Sequence, residues 1–433
     1  MAFDVSNWPV PAEAPTTEDL ARCVHCGLCV NACPTYAITG LEAESPRGRI
    51  ALAKGIDDGV ISLTAAVQGH WDLCLQCRAC ETACPSGVSY GRIMEHARAQ
   101  VDAAPVTNKT SRRIRKFVLR NVVARRAVLG PLIWPARKYA DSSLRRLVRR
   151  SGLLSPLART RTMEAQLPAH QGRPFRPGMP LARPVIERTK AVLFTGCIMG
   201  ELFGGVHRAT GRVLARHGVA LTAPTPQGCC GALSAHDGDL AFARRLAREN
   251  IEAFEVTGDL PIVVNSAGCG AAMKEYPDLL QGDATWAKRA RAFSFRVRDM
   301  SEFLADEDAS VIVPAMFAGR VTYQDPCHLV HAQKIREQPR TLIRTTGCEL
   351  IETSGADMCC GAAGLYSVVQ PAMSAQLRAR KVDQFREVAP DVIITANPGC
   401  QMQYEAAVKE GDLKARVLHL AEFLDEAYRT ADQ

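Results

Sequence analysis

The chain has 433 residues, 47% of them hydrophobic and 23% charged, with a net charge of +8. That composition suits a soluble globular chain of about three domains, and no run of about 18 apolar residues is present to span a membrane. Met1 to Glu18 is rich in Pro and acidic residues and has no apolar core, so no secretory signal is expected. The seventeen cysteines then point to a reducing compartment, the cytoplasm, where thiols serve as metal ligands.

In chain order, Glu18 to Arg22 is expected to form a short helix that delivers Cys23. The stretch Cys23-Val24-His25-Cys26-Gly27-Leu28-Cys29-Val30-Asn31-Ala32-Cys33-Pro34 follows, and its pattern returns at Cys74, Cys77, Cys80, Cys84 and Pro85. Both copies read C-x2-C-x2-C-x3-C-P, the spacing of bacterial two-cluster ferredoxins. Three closely spaced thiolates reach three corners of one cubane, while the fourth Cys points away and ligates the other cluster. One [4Fe–4S] cluster is therefore assigned to Cys23, Cys26, Cys29 and Cys84, the other to Cys74, Cys77, Cys80 and Cys33. A zinc knuckle would need two C-x2-C pairs, not a third evenly spaced Cys and a C-P end, twice. His25, inside the first loop, is expected to shield or hydrogen-bond the cluster. Between the motifs, Ser45-Pro46-Arg47-Gly48-Arg49 reads as a turn, with a helix starting over Ile50 to Gly55. Arg47 and Arg49 either sit near a cluster and raise its potential or cap surface structure, the plainer reading.

Residues 105–187 read as a basic helical linker. Lys109 to Arg161 holds sixteen Lys and Arg against one acid, Asp141, so the rest of the chain is net acidic. Ser111 to Arg126 spaces Ile114, Phe117, Val118 and Val122 as one helical face. Leu129 to Pro135 is apolar and broken by proline. A second basic helix is expected near Ser142 to Arg150, and an extended connection from Gln171 to Pro184.

The remainder repeats. Cys197, Cys229-Cys230-Gly231 and Cys269 in residues 188–315 are matched by Cys327, Cys359-Cys360-Gly361 and Cys400 in residues 316–433. Ala191 to Thr195, Val219 to Ala223 and Ile262 to Asn265 read as strands. Phe203 to His217 and Leu240 to Thr257 read as helices. The second copy repeats the strands at Val321 to Tyr323, Leu350 to Glu352 and Val392 to Thr395. This alternation predicts a parallel α/β layer with cysteines at strand C-terminal ends, where such sheets bind ligands. Each copy offers four thiols, enough for an iron–sulfur cluster or for zinc, so one or two further clusters are expected here. His328 beside Cys327 reads as a ligand-shell residue, a proton donor or a capped core histidine; copy one has Ile198 there. His331 and His236 are weaker candidates, and Cys348 reads as a buried thiol. No Gly-rich nucleotide fingerprint accompanies a strand, so no flavin or nicotinamide site is expected.

The phrases Cys33-Pro34-Thr35-Tyr36, Pro46-Arg47-Gly48-Arg49-Ile50, Cys84-Pro85-Ser86-Gly87-Val88, Gly228-Cys229-Cys230-Gly231-Ala232, Ser266-Ala267-Gly268-Cys269-Gly270 and Thr395-Ala396-Asn397 stand in an order that resembles the iron–sulfur subunits of glycolate oxidases (glycolate dehydrogenases). The resemblance implies an α-helical two-cluster ferredoxin-like N-terminal domain over 1–104 and a duplicated α/β cysteine-rich (CCG) domain. It implies FAD-linked partner subunits that oxidise glycolate to glyoxylate, with this chain passing electrons to the quinone pool at the inner face of the cytoplasmic membrane. It implies no catalytic residue in this chain and no nucleic-acid partner. Equivalent subunits of lactate and glycerol-3-phosphate dehydrogenases share the layout. The repeat is also similar to the cysteine-rich domains of heterodisulfide reductases, whose noncubane clusters take a fifth Cys; here those positions are Ala272 and Gln403. A self-contained reductase and a zinc-stabilised docking scaffold are the competing functions.

Overall fold

The computed structural model describes residues 6–104, 109–140, 142–151, 160, 164–168, 172–306 and 313–433. It forms two compact units, Met1–Arg120 with Ala232–Ala243, and Asn121–Gly231 with Arg244–Gln433.

The first unit is helical. Helix Thr17–Ala21 starts where the Thr16 hydroxyl accepts the Asp19 N–H, and ends just before Cys23. The stretch expected as a turn, Ser45 to Arg49, is instead the first turn of helix Pro46–Asp57. Ser45 caps it by accepting the Gly48 N–H at 3.0 Å, and Pro46 occupies a position whose missing N–H costs nothing. Ile50, Ala53 and Ile56 of this helix, Trp71, and Ile93, Met94, Ala97 and Val101 of helix Tyr90–Val101 form the core. Trp8 stacks on Trp71 at 6.2 Å. Arg98 is buried too, and its guanidinium donates to the carbonyls of Trp71 and Cys74, holding the second cysteine loop onto the core.

The second unit contains two parallel four-stranded sheets. β1 (Thr189–Phe194), β2 (Val219–Thr222), β3 (Ile262–Val264) and β4 (Val297–Asp299) stand in the order β2-β1-β3-β4. β5 (Arg320–Tyr323), β6 (Glu349–Leu350), β7 (Val392–Thr395) and β8 (Arg416–His419) stand as β6-β5-β7-β8. The register runs Thr189↔Val219 and Val192↔Ile262 in one sheet, and Arg320↔Glu349 and Val321↔Val392 in the other. The duplication is thus one topology used twice. The edge strands β4 and β8 were not expected; they are short and carry Arg298 and Arg416, which hide the apolar signal. One core runs through both copies: Leu193 and Val263 of the first cluster with Val321, Tyr323, Val392, Ile394 and Phe423 of the second. Arg212 closes the seam with a bidentate pair to Asp425, 2.8 Å for each bond.

The basic stretch does not behave as one linker. Its start packs with the first unit and the rest with the second. Helix Lys109–Val118 buries Arg112, which is 3% exposed and meets Asp102 at 2.6 Å and Asp72 at 3.5 Å. Ile114 and Phe117, on the apolar face of the same helix, are 59% and 63% exposed. The apolar stretch expected to break at proline is helix Arg126–Ala140, which runs through Pro131 and Pro135. An interior proline costs ~3 kcal/mol. Burial of Leu129, and the hydrogen bonds of the partly buried Arg126 to Thr195 and the Gly196 carbonyl, oppose that cost. The second basic helix is present as Ser143–Ser151, and residues 172–184 run without regular structure. Gln171, Asp141 and residues 152–159 lie outside the described residues.

Candidate functional site

Both ligand loops of the first unit use the same backbone. The second and fourth residues after the first Cys have positive φ: His25 (54°) and Gly27 (85°) in one loop, Gln76 (54°) and Arg78 (65°) in the other. Left-handed residues at alternate positions turn backbone N–H groups to one side, a concavity suited to an anion such as a thiolate-bound cluster. Non-glycine residues hold that conformation at a cost of ~1–2 kcal/mol each, and three of these four positions bear side chains.

The thiols gather into two groups, each drawing on both motifs. Burial pushes the Cys29 thiol up, and the charges of Cys23 and Cys84 add to this. Burial pushes Cys80 well above the ordinary thiol value, with Cys77, Cys74 and Cys33 adding repulsion. So Cys84 stands with the first loop and Cys33 with the second, the crossed arrangement. Cys26 is exposed on the first loop. The second group is buried and lines one cavity together with Arg49 and Tyr90. Thiols this close resist joint ionisation, and a polynuclear iron core supplies the positive charge that relieves it. The residues present therefore fit two cubanes.

The repeat cysteines also converge, at the C-terminal ends of the strands. Cys197 precedes helix Ile198–Leu202, and Cys269 lies in the first turn of helix Ala267–Lys274. Cys327 and Cys400 occupy the matching places before His328–Ala332 and in helix Pro398–Glu410. Cys197 and Cys229 Sγ atoms stand 3.6 Å apart, Cys230 and Cys269 3.3 Å. Contact with Cys229 pushes Cys197 up; contacts with Cys327 and Cys360 push Cys359 up. Gly231 and Gly361, at φ 86° and 85°, make the sharp turn after each pair.

Charge compensation near the repeat sets came from residues the sequence did not single out. Lys381 is 1% exposed and donates to Gln324 at 2.9 Å and to the Gly355 carbonyl at 2.8 Å; the charges of Cys360, Cys359 and Cys400 act on it. Arg126 plays that part beside Cys197 and Cys229. The sequence signal for it is the spacing of Lys381 with the apolar Leu377 and Phe385, four residues to either side in helix Pro371–Val388. Gln403, where a fifth Cys was sought, donates to the Cys360 carbonyl at 2.9 Å and buttresses the second set.

The histidines divide. His328 Nδ1 is 3.5 Å from Cys327 Sγ. His331 meets the Asp357 carbonyl and His236 pairs with Glu95 at 2.8 Å, both structural contacts. His25 is exposed, and its carbonyl accepts from Arg47. Cys348 is only partly buried and sits one residue before β6.

A 4Fe-4S dicluster domain model matches residues 19–88, and a cysteine-rich domain model matches residues 191–274 and 321–405. The probable glycolate oxidase iron-sulfur subunit of Bacillus subtilis is 37% identical over 94% of both chains, and the glycolate oxidase iron-sulfur subunit of Escherichia coli is 33% identical, also over 94% of both. The chain belongs to the family of glycolate oxidase iron–sulfur subunits. It is an iron–sulfur component of an oxidoreductase, an electron carrier with two [4Fe–4S] clusters and the α-helical plus duplicated α/β architecture described above. Lactate utilization protein A of a Geobacillus species is 30% identical over 54% of this chain and 99% of its own.

Proposed function

We propose that this chain is the conducting subunit of a glycolate-oxidising complex. It takes electrons from FAD-linked partner subunits and passes them to quinone. Cys23, Cys26, Cys29 and Cys84 hold one [4Fe–4S] cluster, and Cys74, Cys77, Cys80 and Cys33 the other. Cys197, Cys229, Cys230 and Cys269, and Cys327, Cys359, Cys360 and Cys400, hold one or two further iron–sulfur clusters. The observation that carries the reading is the grouping of Cys84 with Cys23 and Cys29, and of Cys33 with Cys74, Cys77 and Cys80, which is the grouping two neighbouring cubanes would need. No residue of this chain is assigned to substrate chemistry; its side chains hold, shield and tune carriers. The test is to purify the chain with its bound partners and supply glycolate, lactate and glycerol 3-phosphate in turn. Glycolate should reduce the iron–sulfur signals. Reduction by lactate alone would move the complex to the lactate-utilisation side.

We further propose that it works at the cytoplasmic face of the membrane, as a peripheral protein. Among the described residues no helix is long and apolar enough to cross a membrane. The basic stretch offers less charge than its count suggests. Arg112, Arg115, Lys116 and Arg120 are paired with Asp102, Asp237, Asp102 and Asp239, and Arg145 and Arg149 share Glu164. Arg113, Arg125, Lys138 and Arg146 remain exposed, with Ile114, Phe117, Leu132, Trp134 and Leu147 exposed near them in sequence. At ~1 kcal/mol per basic residue near anionic lipid, the three of the second unit, Arg125, Lys138 and Arg146, contribute about 3 kcal/mol, enough for reversible binding. The full chain should therefore sediment with anionic liposomes and release with salt. Binding indifferent to both lipid charge and salt would assign the stretch to a protein partner.

A further inference from the structure

One helical turn between the two ligand motifs serves both thiol groups, and serves them unequally. Arg47 and Arg49 leave the same first turn of helix Pro46–Asp57. Arg47 is partly exposed, pairs with Glu42 at 2.6 Å and donates to the His25 carbonyl at 3.3 Å, outside the first group. Arg49 is 1% exposed and lies against the second. Its Nη1 stands 4.0 Å from Cys33 Sγ and donates to Thr35 Oγ1 at 3.1 Å and the Glu44 carbonyl at 2.6 Å. Nε donates to the His70 carbonyl at 2.7 Å, and Nη2 to Glu44 Oε2 at 2.6 Å. Two more donors aim at the same group: the Tyr90 hydroxyl at Cys74 Sγ, 3.6 Å, and the Gln76 N–H at the same sulfur, 3.4 Å. The Thr35 hydroxyl is 3.2 Å from Cys33 Sγ.

Burial alone makes the extra negative charge of a reduced cluster expensive. Hydrogen bonds and positive charge at the ligand sulfurs act the other way and raise the potential, and they act strongly where water is excluded. The second group has the burial and also the donors. The Glu44 carboxylate lies at Nη2, on the other arm of the guanidinium from Cys33, and is shared with His70 Nδ1 at 2.6 Å. The positive end of the pair is therefore the end nearer the sulfur.

We propose that Arg49, assisted by Tyr90, is a positioning and tuning residue that raises the potential of the cluster on Cys33, Cys74, Cys77 and Cys80, keeping this buried centre reducible. The inference rests on the ligand sets assigned under the proposed function. It is tested on the full chain by redox titration followed by electron paramagnetic resonance, with iron and sulfide counted for each variant. Arg49→Gln and Tyr90→Phe should each lower the midpoint of one [4Fe–4S] signal and leave the other unmoved, Tyr90→Phe by the smaller step. Glu44→Gln should raise the same midpoint, and Arg49→Lys should stay near the parent value. Cys80→Ser identifies the signal by deleting it. If Arg49→Gln loses the cluster, Tyr90→Phe and Glu44→Gln decide by opposite shifts of that one midpoint. Unmoved midpoints in both, equal shifts of both signals, or a shift in the signal that Cys80→Ser leaves in place overturn the inference while the electron-transfer reading stands. A chain with no [4Fe–4S] signal overturns both.

Discussion

Cys29→Ser and Cys80→Ser are each expected to delete one [4Fe–4S] signal and to reduce substrate-to-quinone transfer in the assembled complex to background. The proposed flavin-bearing partners should still pass electrons to an artificial dye at the parent rate, because no substrate chemistry is assigned to this chain. The physical reason is serial conduction: one missing carrier interrupts the path whatever the state of the others. The crossed arrangement sharpens the expectation. Cys29 shares its neighbourhood with Cys23 and Cys84, and Cys80 with Cys77, Cys74 and Cys33. Cys84→Ser should therefore abolish the same signal as Cys29→Ser, although it lies in the other motif. If Cys84→Ser instead matches Cys80→Ser, each motif holds its own cluster. If dye reduction collapses along with quinone reduction in a folded complex, part of the catalytic site lies in this chain and the conducting role fails.

Cys230→Ser and Cys360→Ser are expected to lower the iron and acid-labile sulfide bound per chain. They should also change the spectrum of the repeat without disturbing the two cubane signals. The parent chain should bind about twelve or sixteen iron atoms, beyond the about eight that two cubanes require. Cys230 and Cys360 each lie between two other thiols of their set: Cys230 touches Cys229 and Cys269, and Cys360 touches Cys359 and Cys400. Loss of either opens the middle of its group. Serine is nearly isosteric but brings a hydroxyl that needs a partner, so replacing a purely structural buried thiol would cost about 1–3 kcal/mol of stability and no iron. A parent chain holding about eight iron and no zinc, with both variants silent, would make the repeat a packing unit. The two sets need not respond alike. Lys381 compensates charge in the second and Arg126 in the first, and His328 stands beside Cys327 where copy one has Ile198.

The amino-acid order by itself determined the parts whose physics is local or repeated. C-x2-C-x2-C-x3-C-P dictates a loop in which three thiols face one way and the fourth faces another, so the expected grouping of the thiols follows from the spacing before any fold. The in-register cysteines of the repeat, with apolar runs ending beside them, were enough to place strands β1, β2, β3, β5 and β7 and to set thiols at their C-terminal ends. What only the tertiary structure decided are contacts between residues far apart in sequence. Helical spacing announced a two-faced basic helix but not which face is covered; Asp72, Asp102 and Asp237 drew Arg112 and Arg115 inward and left Ile114 and Phe117 outside. Pro131 and Pro135 read locally as a break, yet burial of Leu129 and the hydrogen bonds of Arg126 hold the helix through them. The sixteen cations read as one charge run, yet among the described residues distant acids pair with six of them. Arg49 illustrates the division most directly. Its place beside a ligand motif was visible in the sequence, but its burial against Cys33 depends on Glu44, Thr35 and the His70 carbonyl meeting around one guanidinium, and that meeting exists only in the folded chain.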